Sequence, residues 1–175
     1  MQSGFTLVEM LAVIVVFASI GTIVLSTIYI SLRSSKKSDS ITTIRQNGSF
    51  ALSQMVKGIR YAKALDNPYP CTPLPTPSPT PTYTTITVTN LDDTETTFAC
   101  ASGDSSAVTQ NGQELVDTST VSVQSCTFTC SQDSVDTPPS IDISFTLVPK
   151  NGSGLSEVSS AIPFETSVTL RNVNQ

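Results

Sequence analysis

Residues 10–30, MLAVIVVFASIGTIVLSTIYI, contain no charged side chain, and only Ser, Thr and Gly interrupt the apolar run. About 20 such residues form a helix long enough to cross the hydrocarbon core of a bilayer. A water-soluble domain cannot leave that much apolar surface uncovered, so the run dictates the plan of the chain. It has to lie in lipid or against other apolar helices, and the polar fold has to come after it. An ordinary secretory signal has a basic start, a shorter apolar region and a cleavage site behind that region. Here the small residue Gly4 precedes the run, and the run is too long, so the apolar segment is expected to stay in the mature protein.

Beyond Ile30 the composition changes to Ser, Thr, Val and Asp, which suits exposed β-structure better than a large apolar core. Charged residues make up 13% of the chain, well under the quarter usual for soluble domains, and they are segregated. Seven of the nine basic residues lie between Arg33 and Lys63, whereas from Asp66 onward twelve acids face only Lys150 and Arg171, a net −10. An acidic head has no set of cations for phosphate, so no direct nucleic-acid contact is expected. Nothing singles out a catalytic set or calls for a cofactor: the chain has no His, and no enzyme activity is expected. Asp92, Asp93, Glu95 and Asp104 are close enough in sequence to suggest calcium, but they do not follow the twelve-residue loop pattern, and a solvated turn is the simpler reading.

The second half of the basic segment reads as amphipathic helix. Ile41, Ile44, Leu52, Met55, Val56, Ile59 and Ala62 form one stripe at the 3.6-residue period, and Arg45, Lys57, Arg60 and Lys63 lie opposite. Asp66-Asn67-Pro68 sets the limit of the helix, because Pro disfavours a helical residue before it. Gly21 and Gly48 are the positions where it is most easily interrupted. Residues 67–82 include PYPCTPLPTPSPTP and read as an extended, Pro-rich loop. From Tyr83 the period becomes two. Strands are expected at Thr84–Asn90, Val121–Thr129, Ile141–Val148 and Thr166–Val173, with Phe98-Ala99 pairing back across Asp92-Asp93. Further turns fall at Gly103-Asp104, Asn111-Gly112, Pro138-Pro139 and Asn151-Gly152. The fold class is therefore α+β: a long N-terminal helix, half of it membrane-spanning and half amphipathic, with its apolar stripe covering the dry face of an antiparallel sheet.

Cys71, Cys100, Cys126 and Cys130 all lie beyond the apolar segment, and an even number there points to disulfides in an oxidising compartment. If CTFTC is a strand, Cys126 and Cys130 are about 13 Å apart at ~3.3 Å per residue, too far to bond each other. They then pair with Cys71 and Cys100 in either order. If CTFTC is a turn, the pairs are 126–130 and 71–100. Zinc is the weaker reading without His or a C-x₂-C spacing.

The chemistry-bearing motif is Gly4-Phe5-Thr6-Leu7-Val8-Glu9, set directly against the apolar run, with Thr6 and Glu9 spaced as a capping box. It resembles the class III signal of type IV pilins and pseudopilins. A short leader ending in Gly, then Phe, Thr, Leu, a hydrophobe and Glu, then about 20 apolar residues, are all matched. The resemblance implies cleavage after Gly4 by a prepilin peptidase, N-methylation of the new N-terminal Phe5, and an assembly role for Glu9 in neutralising the terminal amine of a neighbouring subunit. A carboxylate at the edge of an apolar span is costly and seeks a positive partner, which supports that role independently; the simpler alternative is a helix N-terminal acid at the lipid headgroups. Two departures stand: the leader has no Lys or Arg, and Arg33, Lys36 and Lys37 follow the span, where the positive-inside rule would put the cytoplasm. The cysteines, the Pro-rich loop and the β-rich head argue for the opposite orientation.

Arg45-Gln46-Asn47-Gly48-Ser49-Phe50-Ala51-Leu52 through Ile59-Arg60, with the closing Thr166–Asn172 strand, is similar to minor pilins of the W type and to the J component of type II secretion pseudopilins. The chain is thus expected to divide into residues 1–4 as leader and 5–32 as transmembrane and filament-core helix, which the class III resemblance implies, then 33–66 as amphipathic helix, 67–82 as Pro-rich loop and 83–175 as extracytoplasmic head, read from the residues themselves. The likeness to W-type and J-component proteins further implies a minor, tip-associated structural subunit of a pilus-like filament. Its partners would be other pilin or pseudopilin subunits, the prepilin peptidase, an inner-membrane assembly platform and, before assembly, membrane lipid. It would first sit in the cytoplasmic membrane as a single-pass protein and later in an extracytoplasmic filament. The rival expectation is a membrane-anchored binding module that does not polymerise.

Overall fold

The computed structural model describes residues 6–69, 71–73, 81–101, 107–134, 137–150 and 161–171. Among the described residues one helix, α1 (Leu7–Arg60), opens the fold, and nine strands follow: β1 (Ala64–Asn67), β2 (Thr72–Pro73), β3 (Thr85–Thr89), β4 (Glu95–Ala101), β5 (Ala107–Gln110), β6 (Gln113–Glu114), β7 (Val121–Gln132), β8 (Ser140–Pro149) and β9 (Ile162–Thr169). The α+β class expected from the sequence is the one found. The chain divides into two compact units, Met1–Asp39 and Ser40–Gln175.

The expected single antiparallel sheet is two sheets. One has the order β1-β3-β4-β5-β6, the other β2-β7-β8-β9, and β2 pairs with β7 in parallel, through Thr72↔Ser131 and Pro73↔Gln132. The alternation read from the sequence fixes a buried face for each strand but not which strands pair. β3 and β4 pair across Asp92-Asp93 as expected, with Ile86 opposite Phe98. Asn111 and Gly112 both take positive φ, 51° and 80°, the backbone that a two-residue β5–β6 hairpin needs.

The helix does not reach Asp66. It stops at Arg60, and Ala64–Asn67 turns back as β1 on β3, secured by the Lys63 N–H donating to the Thr89 carbonyl at 2.7 Å. Gly21 and Gly48 lie inside the continuous helix. Thr166–Val173 is also displaced: the last strand is Ile162–Thr169, and residues 172–173 lie outside the described residues. So do Asp104, the Gly103-Asp104 and Asn151-Gly152 turns, and residues 74–80 of the Pro-rich loop.

In the Ser40–Gln175 unit, Ile44, Gly48, Ala51, Met55 and Ile59 form the buried face of α1, at steps of four, three, four and four. The two glycines of this segment set how closely the sheets approach. A Cβ at Gly48 would overlap the Phe164 ring on β9, and one at Gly58 would come within 2.6 Å of Phe98 on β4. Both sheets thus pack on the same helix. Asn47 adds a polar tie: its Oδ1 accepts from the Asp117 N–H at 2.7 Å, and its Nδ2 donates to the Thr43 carbonyl at 3.0 Å. Phe98, Phe128, Phe145, Ile141, Ile143 and Leu147 are buried in the core these elements close.

β7 keeps one face inward along twelve residues by means of a bulge. Val121 and Val123 are buried; the register then slips between Val123 and Ser125, and burial resumes at Phe128, Cys130 and Gln132. The extra residue shifts the phase by one without turning the strand over. Both cysteines of CTFTC lie in this strand, and the structure bonds Cys71 to Cys130 and Cys100 to Cys126, with Cα–Cα distances of 5.2 Å and 5.6 Å. The first holds the start of the Pro-rich loop on β7. The second joins β4 of one sheet to β7 of the other, beside a bridge in which Tyr83 and Phe128 exchange backbone hydrogen bonds at 2.8 Å.

Replacing Cys100 and Cys126 together by Ser should cost about 2–4 kcal/mol, the usual effect of removing a bridge that closes a loop of this size. Thermal melting of the full chain in detergent checks this, and an unchanged midpoint would show that the inter-sheet bridge adds nothing.

Candidate functional site: the N-terminal helix

Thr6 ends the non-helical entry, and its Oγ1 accepts from the Glu9 N–H at 3.3 Å, while its carbonyl accepts from the N–H groups of Glu9 and Met10 at 3.1 and 3.2 Å. This is the N-cap half of the expected capping box, and it satisfies donors that the first helical turn leaves open. Glu9 stands exposed in that turn. Gly4 and Phe5, the expected cleavage and methylation residues, lie outside the described residues.

From Met10 to Leu32 the helix carries 23 residues with no charge, about 35 Å at ~1.5 Å per residue, enough for a hydrocarbon core of about 30 Å. Its mean hydropathy peaks at 2.5 over 18 residues. None of that window is buried, and Phe17 and Leu25 are 71% and 69% exposed. The polar breaks are neutralised internally. Ser19, Thr22, Ser26 and Thr27 each donate a hydroxyl proton to the backbone carbonyl three residues earlier, all at 2.8 Å. No donor of these four is left for lipid to desolvate, so the surface is apolar in practice as well as in composition.

The head carries no comparable chemistry among the described residues. Two of the acids considered for calcium have other partners: Asp92 Oδ1 accepts from the Thr94 hydroxyl at 2.6 Å and its N–H at 3.1 Å, and Asp93 pairs with Lys63 Nζ at 2.6 Å. The Thr94 hydroxyl, then its N–H, holds the Asp92 carboxyl below its ordinary value. That contribution is present at neutral pH and is lost as pH falls through the lowered value. Asp117 is lowered in the same way by Ser119. No group of three or more His, Cys, Asp or Glu that could hold a metal occurs among the described residues.

Asn47, Gly48 and Gly58 seat the two sheets on α1, a packing role that their place in the sequence does not reveal.

Residues 1–26 match the family model described as the prokaryotic N-terminal methylation motif. No curated protein and no solved structure matches the chain. The N-terminal segment thus carries a type IV pilin-like class III signal, and together with the uncovered apolar helix it fits a membrane-anchored, pilin-like protein of structural rather than catalytic kind.

Proposed function

We propose that this chain is a structural subunit of a type IV pilus-like filament, assembled through its N-terminal helix. The observation that carries the reading is a helix with an uncovered, hydroxyl-satisfied apolar surface joined to the matched methylation motif, with Glu9 as the one acid near its start. Residues 1–4 are the leader, removed after Gly4 by a prepilin peptidase, and Phe5 becomes the methylated terminus. Residues 5–32 wait in the inner membrane and later form the filament core. The rest of α1 carries the head, which lies outside the cytoplasm, where its two disulfides form. Leaving lipid for a bundle of similar helices exchanges one apolar environment for another at little hydrophobic cost, so a specific charge contact at Glu9 can decide the outcome. The likeness of residues 45–60 to W-type and J-component proteins supports a minor, tip-associated rank. An inner-membrane assembly platform completes the set of partners.

Co-expression with a prepilin peptidase tests this. N-terminal sequencing should read from Phe5, and Gly4→Leu should leave the precursor uncut. A chain that keeps Met1 in the presence of active peptidase is an anchor, not a pilin.

A further inference from the structure

The Ser40–Gln175 unit presents two surfaces of opposite charge, and the packing puts them on opposite sides. Between Ser40 and Lys63 there is no acid, and the exposed face of α1 carries Arg45, Lys57 and Arg60, none of which forms an ion pair among the described residues. Phe50 and Tyr61 stand on that face, 53% and 51% exposed. Beside them opens a groove of about 240 Å³, lined by Gln54, Lys57, Gly58, Tyr61, Asn90 and Gln110. Gln54, Lys57 and Gln110 bring side-chain donors to this lining, while the Asn90 amide donates to Thr94 and Thr96. The Lys57 charge with two neighbouring amides suits a carboxylate.

The other surface is the outer face of the β2-β7-β8-β9 sheet. Because Phe145 and Phe164 look inward, toward the side where α1 packs, this face points away from the helix. Its residues run in register across three strands: Ser131, Ser140 and Thr169; Thr129, Asp142 and Ser167; Thr127, Ser144 and Glu165. The charges in these rows are two acids, Asp142 and Glu165. Glu165, on β9 at the end of the sheet order, accepts a long 3.5 Å bond from Ser144.

We infer that the exposed α1 face of one copy docks on the outer β8–β9 face of a second copy, with the Lys57 groove seating Glu165 and with Arg45 and Arg60 facing Asp142 and its neighbours. The charge match is internal to the chain, which makes a second copy the occupant. Two complementary patches on opposite sides of one unit form a head-to-tail contact rather than a two-fold dimer, and such a contact builds an open helical filament when its rotation does not close into a ring. The inference rests on the filament reading and adds to it: copies of this chain sit next to one another, a point that minor rank leaves open.

A photo-crosslinking residue at Gln54 of the full chain, in cells that process and assemble it, tests the contact. Adducts should map to residues 140–149 or 162–169 of a second copy. Lys57→Glu should lower the yield at least tenfold, and Lys57→Glu with Glu165→Lys should restore most of it. Both variants should still form their disulfides, which separates lost docking from lost folding. Adducts confined to another protein or to lipid, or a yield indifferent to both charge reversals, would overturn the docking. If the wild-type chain enters filaments while these adducts are missing, the docking alone is wrong; if it never enters filaments, the parent reading is wrong.

Discussion

Glu9→Ala is expected to leave membrane insertion and cleavage intact while filament incorporation falls by a hundredfold or more. The span from Met10 to Leu32 is uncharged without Glu9, so insertion does not need the acid. The Thr6 cap uses the Glu9 backbone N–H, not its side chain, so the helix start survives Ala as well. What Ala removes is the only negative charge close to the terminal amine that cleavage would create at Phe5. Leaving one member of a desolvated ion pair without its partner costs about 3–5 kcal/mol, which at ~1.4 kcal/mol per decade exceeds a hundredfold for each subunit added. Quantitative immunoblotting of filament and membrane fractions reads the ratio. Normal incorporation of the Ala variant would reduce Glu9 to a helix N-terminal acid lying among lipid headgroups.

The second large effect is in the head. Phe145 is fully buried at the centre of β8, opposite Cys126 on β7 and Phe164 on β9, and its ring stacks on Phe164 with centroids 5.2 Å apart and planes at 15°. Phe164 is the side chain that meets α1 at Gly48, so Phe145 supports the seat of the helix as well as filling the core. Phe145→Ala should cost about 3–5 kcal/mol, transfer and cavity terms together. The melting midpoint of the full chain in detergent should then drop by roughly 10 °C. A shift of only a degree or two would mean that the two sheets close around the gap, contrary to a core held at close packing.

Much of the head could be read from alternation, and the failures have physical causes. β3, β7 and β8 were legible because Ile86 and Val88, Phe128 and Cys130, and Ile141 through Leu147 repeat at period two. β9 was misplaced because Pro163 and Glu165 make its first half look like loop; only pairing with β8 shows that Ile162 and Phe164 point inward. β1 was hidden by the helical stripe running into Ala62, since tertiary pairing with β3 decided where the helix ended. β2 sits among prolines, and its two residues add to β7 because Cys71 is fastened to Cys130. β5 and β6 are too short and polar to stand out beside Asn111-Gly112. In the N-terminal segment the case is reversed. The motif, the uncharged span and Thr6 as cap were all visible beforehand, because a lone helix obeys local rules that a sheet does not.

The most direct measurement is the mass of the chain recovered from sheared, sedimented filaments. The account predicts a species that begins at Phe5, methylated there and oxidised at both cysteine pairs. A chain that still begins at Met1 and is found only in the membrane, in cells that are making filaments, would contradict it.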